Sequence, residues 1–149
     1  MKELLQPQYK WQHLINLCGQ DFPLNSNSRI ESYAHNLGHE SDIQSVLYHF
    51  GDNKYRRVKQ RQIAISEETN SFGYIENHAL NSEWYVSKES TYLEQCPFER
   101  VYFGLAYNTY SRNFLSWSFE DEKAQAFLEW AKFTFSPDEH YWATLIRYS

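Results

Sequence analysis

Short apolar runs alternate with longer polar stretches along the chain, and their spacing predicts its elements. Trp11 to Leu17 carries an apolar run before Cys18-Gly19, the pattern of a buried strand that ends in a loop, and Phe22-Pro23-Leu24 continues that loop. Beyond it Ile30, Tyr33, Ala34 and Leu37 recur at helical spacing, with Asn27 where an N-cap belongs and Gly38 where a helix stops. Arg100 to Tyr110 is rich in β-formers and predicts a strand pair, Gly104 marking a bulge or a close backbone approach. From Ser111 the pattern turns helical. Asp121 stands ready to cap a second helix whose Ala124, Phe127, Leu128 and Ala131 form one apolar face. Ser136-Pro137-Asp138-Glu139 predicts a further helix start, with a cap residue, Pro at the first position and two acids in the first turn, followed by a body from Tyr141 to Ile146. His39 to Ser90 is polar and irregular and predicts loops with short strands.

Composition narrows the class. The 149 residues fit one domain spanning 1–149, because no Gly- or Pro-rich linker and no internal repeat divides them. A hydrophobic content of 42% against 22% charged residues supports a packed core, and the 18% aromatic content supplies much of its volume. A net charge of −5 gives no electrostatic reason to bind nucleic acid. No apolar run approaches the roughly 18–20 residues of a spanning helix, so the chain contains no membrane segment of that kind. Two cysteines, Cys18 and Cys96, make neither a disulfide framework nor a zinc motif.

Candidate chemistry is sparse, and each candidate has a structural alternative. Glu139 is in the third position of a capping box, yet a helix N-terminus also favours a charged carboxylate, which is what a general base needs. Lys54, Arg56, Arg57, Lys59 and Arg61 form either a solvated face or a set of directed donors for a sugar or phosphate. His35 and His39 stand four apart, but Gly38 intervenes and no third ligand completes a metal set. Cys18 fits a buried thiol as well as a reactive one. The chain has no Asp-x-Asp, no Gly-rich phosphate loop and no Gly-x-Ser-x-Gly elbow, which removes several enzyme classes.

Two long motifs carry a resemblance. Leu14-Ile-Asn-Leu-Cys-Gly-Gln-Asp-Phe-Pro-Leu24 and Leu128-Glu-Trp-Ala-Lys-Phe-Thr-Phe-Ser-Pro-Asp-Glu-His-Tyr-Trp-Ala-Thr-Leu-Ile-Arg147 closely resemble the core-2/I-branching β-1,6-N-acetylglucosaminyltransferases, with Phe103-Gly-Leu-Ala-Tyr107 and Ser111-Arg112 between them at family spacing. The related xylosyltransferases differ around the catalytic acid, so Ser-Pro-Asp-Glu favours the branching enzymes.

The resemblance implies an α/β fold of the GT-A type, of which residues 1–149 would be the middle portion, a fragment of the catalytic domain. It implies inverting transfer of N-acetylglucosamine from UDP-N-acetylglucosamine to a 6-hydroxyl of galactose or N-acetylgalactosamine in a glycoprotein or glycolipid glycan, forming a β-1,6 branch. No metal or other cofactor is expected, in keeping with the missing Asp-x-Asp. The general base falls on Glu139, which reverses the order of its two readings, and acceptor-binding cations fall on Lys54 and Arg57. A family acceptor-binding Glu falls on Gln44, which can hydrogen-bond sugar hydroxyls but brings no charge. Cys18 falls beside the donor nucleotide. Family members are type II Golgi membrane proteins whose anchor, first nucleotide-binding strands and diphosphate-binding cations lie outside the matched region. The 149 residues alone are therefore expected to be inactive, and the alternative reading is a truncated, non-catalytic remnant with at most glycan-binding capacity.

Overall fold

The computed structural model describes residues 1–47, 62–63, 85–86, 95–134 and 136–149. Among these, helices and short strands are mixed. Strand β1 (His13–Ile15) pairs antiparallel with β4 (Thr109–Ser111), in the register His13 to Ser111, Leu14 to Tyr110 and Ile15 to Thr109. The strand is shorter than the predicted run and only half-buried, since Ile15 and Leu17 stay exposed on it and just beyond it. Strands β2 (Gln62–Ile63) and β3 (Tyr85–Val86) form a separate antiparallel pair.

Between the first strand and the rest of the sheet, helix α1 (Asn27–Leu37) ends at Gly38, whose φ of 63° suits a residue without a Cβ. Ser26 rather than Asn27 is the N-cap residue, and it makes no side-chain cap bond. The apolar stripe of α1 buries no residue completely, and Tyr33 stays exposed.

The predicted strand pair in Arg100–Tyr110 is replaced by a different arrangement. Residues 42–46 run antiparallel to 103–109 and meet them at two bridges, Asp42 with Thr109 and Val46 with Phe103. Six positions separate Phe103 from Thr109 and four separate Asp42 from Val46, so two extra residues bulge out of the 104–108 side. Strand β4 is thereby flanked by β1 on one side and by Asp42 on the other.

The helical half follows the predicted signals more closely. Ser111 caps α2 (Arg112–Glu120) by accepting the Phe114 N–H at 3.2 Å, and Asp121 caps α3 (Glu122–Ala131) by accepting the Ala124 N–H at 2.8 Å. Ala124, Phe127 and Ala131 are buried and Leu128 packs against them. The last segment departs from prediction. Pro137–Glu139 is a single 3-10 turn, and the α-helix proper, α4 (Tyr141–Leu145), begins only after it. Ser136 is left-handed with φ 48° and makes no side-chain cap bond, so its half of the capping box is not formed.

The core is aromatic. Tyr110 of β4 stacks on Phe114 of α2 at 6.4 Å and meets Trp142 of α4 at 4.9 Å, while Phe127 of α3 stacks on Trp130 at 5.4 Å and Tyr141 at 5.7 Å. Such ring pairs add about 0.5–1.5 kcal/mol each beyond the area they bury. Arg112 ties the N-terminal turn to this core by donating to the carbonyls of Tyr9 at 2.5 Å and Leu5 at 2.7 Å, with its guanidinium 5.0 Å from the Trp11 ring centroid. Among the described residues, no helix is long and apolar enough to cross a membrane.

Candidate active site

Gly104 is the hinge of the geometry. A Cβ built on it would lie 1.9 Å from the Gln44 carbonyl oxygen, so only a residue without a side chain lets the two backbones meet. Its N–H donates to the Glu139 carbonyl at 2.7 Å. One glycine therefore has the main-chain carbonyls of Gln44 and Glu139 beside it, two candidate site residues ninety-five positions apart by their numbering.

Each side of this junction is braced. The Ser45 hydroxyl donates to the Ala143 carbonyl at 2.6 Å and accepts from Arg147 Nε at 2.9 Å, and the Ser45 carbonyl accepts from an Arg147 terminal nitrogen at 2.6 Å. The Arg147 guanidinium also lies 5.4 Å from the Tyr102 ring centroid. Gln44 thus projects from a segment fastened to the helix that follows Glu139. The fastening comes from residues distant in sequence, and the only local hint of it is the Arg that closes the second long motif.

Behind Glu139, His140 is fully buried among the rings of Phe103, Phe127 and Trp130. The Thr134 hydroxyl gives its proton to the Ala131 carbonyl at 2.7 Å, so at its 2.7 Å contact with His140 Nε2 it accepts, and Nε2 carries the imidazole proton. Nδ1 has no partner among the described residues. Burial pushes the His140 pKa down to about 3, which keeps the ring neutral. This bond pins the turn that carries Glu139 to the end of α3. Sequence patterning missed it because a histidine after the acid pair has no periodic signature.

A groove of about 290 Å³ opens beside the junction. It is lined by Asn16 and Leu17 after the end of β1, by Asp42 and Gln44, and by Leu105 and Tyr107 of the bulge. Cys18, half-buried and unpaired, follows directly on Leu17, with its N–H bound to Asp21 Oδ2 at 2.8 Å. The Asp42 carboxylate accepts the Tyr33 hydroxyl, and that bond, with burial second, raises the Tyr33 pKa. Lys54 and Arg57 lie outside the described residues. His39 falls beyond the end of α1, and among the described residues no group of three His, Cys, Asp or Glu side chains could hold a metal ion.

Known proteins decide the family. The description of the Core-2/I-Branching enzyme family matches residues 1–149. The chain belongs to the core-2/I-branching enzyme family. It is 33% identical over 149 residues to a human N-acetyllactosaminide beta-1,6-N-acetylglucosaminyl-transferase, covering 99% of this chain and 33% of that protein. It is 30% identical over 157 residues to the mouse beta-1,3-galactosyl-O-glycosyl-glycoprotein beta-1,6-N-acetylglucosaminyltransferase 4, covering 99% of this chain and 30% of that one. A zebrafish protein of the latter name is 28% identical over 148 residues. The chain spans about a third of the length of these relatives, which are enzymes by name. Within this core-2/I-branching chain, the described part is a mixed helix-and-strand body in which Gly104 and Ser45 bond to the second long motif and Asn16 of the first donates to the Ala106 carbonyl.

Proposed function

We propose that this chain supplies the general base and part of the acceptor site of a β-1,6-branching N-acetylglucosaminyltransferase of GT-A type. The observation that carries the reading is the approach of the Glu139 and Gln44 main-chain carbonyls to Gly104 in a chain that matches the family over all its residues. In this reading Glu139 takes the proton of a galactose or N-acetylgalactosamine 6-hydroxyl while that oxygen bonds to the anomeric carbon of UDP-N-acetylglucosamine. The bond from that carbon to the diphosphate breaks with inversion, and UDP leaves. Gln44, Lys54 and Arg57 hold the acceptor glycan, and Cys18 lies beside the nucleotide. No metal ion takes part, a reading supported by the sequence's lack of Asp-x-Asp. Residence in the Golgi membrane, as a type II protein, belongs to the same proposal.

The test is transfer by the protein expressed from its complete gene, with radiolabelled UDP-N-acetylglucosamine and N-acetyllactosamine, the linkage being read by NMR. A β-1,6 product is expected. Glu139→Gln should lower turnover by roughly two to four orders of magnitude with an unchanged circular dichroism spectrum. A variant that keeps more than about a tenth of turnover removes Glu139 from the base role. Glycan binding without any transfer would favour the non-catalytic remnant.

A further inference from the structure

The geometry points to Tyr107 as a stacking platform for one pyranose ring of the acceptor, seated in the groove that Tyr107 shares with Asp42 and Gln44. Tyr107 sits on the two-residue bulge between the bridges at Phe103 and Thr109, half-exposed although its flanks are fixed. Those flanks hold its backbone in place. Asn108 donates to the Leu105 carbonyl at 2.8 Å across the bulge, and Asn16 donates to the Ala106 carbonyl at 3.1 Å. The Tyr107 ring has no hydrogen bond, ring contact or cation contact among the described residues, whereas the described core aromatics pair extensively with one another.

A half-exposed ring that shares a groove with a carboxylate and an amide is suited to a sugar. The apolar C–H face of a pyranose covers an aromatic ring, while its hydroxyls are left at the edge to find polar partners. Asp42 and Gln44 are exposed residues of the same groove, and the Gln44 amide and the Asp42 oxygen not bonded to Tyr33 offer those partners. The ligand class follows from this mixture, because a phosphate would be repelled by the Asp42 carboxylate, whereas a neutral sugar hydroxyl can donate to it alongside Tyr33.

This inference rests on the proposed transferase reading for its choice of the acceptor sugar, and the test separates the two. With the full-length protein, saturation-transfer NMR on N-acetyllactosamine should show strong transfer to the ring C–H protons of one hexose. Tyr107→Phe should preserve both this signal and the acceptor KM. Tyr107→Leu, which keeps apolar bulk but no ring, and Tyr107→Ala should lose the signal and raise the acceptor KM roughly three- to tenfold, leaving the donor KM unchanged. Because Tyr107 is half-exposed, all three variants should keep the wild-type melting temperature. Tyr107-dependent binding without transfer would sink the transferase reading and leave the groove standing. Transfer with an acceptor KM untouched in Tyr107→Ala, a change confined to the donor KM, or no binding of N-acetyllactosamine would overturn the platform.

Discussion

Replacing Gly104 by alanine tests the junction on which the site depends. The added Cβ would lie 1.9 Å from the Gln44 carbonyl oxygen, 2.9 Å from its carbon and 3.2 Å from Ala143 Cβ. A carbon–oxygen contact settles at about 3.3 Å, so the Gln44 carbonyl would have to retreat by about 1.4 Å from its present 1.9 Å. Backbone must give way, not the far end of a flexible side chain. The flanking Val46–Phe103 pair, bonded at 2.8 and 2.9 Å, and the 2.7 Å bond from Gly104 to Glu139 would be strained together. Overpacking costs about 1–3 kcal/mol, and each weakened hydrogen bond adds about 0.5–1.5 kcal/mol. For a chain of this size that loss amounts to a melting temperature lowered by roughly 5–15 °C, measured by circular dichroism. Gly19→Ala is the internal comparison, because nothing lies within 4 Å of its Cβ position, and it should leave the melting temperature in place. A Gly104→Ala protein melting within about 1 °C of wild type would refute the close approach.

Three further outcomes follow from the same contacts. Arg147→Ala removes both bonds to Ser45 and should raise the acceptor KM about fivefold with the pH profile of turnover unchanged, since the exposed pair contributes about 1 kcal/mol; Arg147→Lys should restore part of this, and an unchanged KM in Arg147→Ala would detach the clamp from the site. His140 has a folded pKa lowered to about 3 against about 6.5 unfolded, so its contribution to stability is complete above pH 6.5 and declines as pH falls toward 3, on the order of 1.4 kcal/mol per pH unit. Urea midpoints at pH 7.5 and 5 should therefore differ more for wild type than for His140→Leu, and parallel pH responses would count against the buried neutral ring. Transfer activity should survive excess EDTA but fall on treatment with N-ethylmaleimide, with UDP protecting; Cys18→Ser should abolish the thiol sensitivity, and loss of activity in EDTA would overturn the metal-free reading.

Local signals in the sequence determined the helical half of this protein. Ser111 and Asp121 became caps because an oxygen two or three residues before a free amide needs no distant partner, and the face of Ala124, Phe127 and Ala131 became core because its period matches a helix. Gly38 ends α1 for an equally local reason, its positive φ. The family, too, was legible in the two long motifs, and the family match over residues 1–149 agrees with that reading. Tertiary structure decided the remainder. The β-forming run at Arg100–Tyr110 does not pair with itself, because residues 42–46 supply its bridges, and a strand's partner is set by contacts far away in sequence rather than by propensity. The predicted capping box at Ser136 gave way to a left-handed residue and a 3-10 turn, which pairing with Gly104 and the His140–Thr134 bond hold in place. Gly104 itself could be read as a close approach from sequence, but what approaches it could not. That Gln44 lies under it and Glu139 beside it depends on three segments converging, and no local pattern encodes a convergence that only packing and long-range hydrogen bonds bring about.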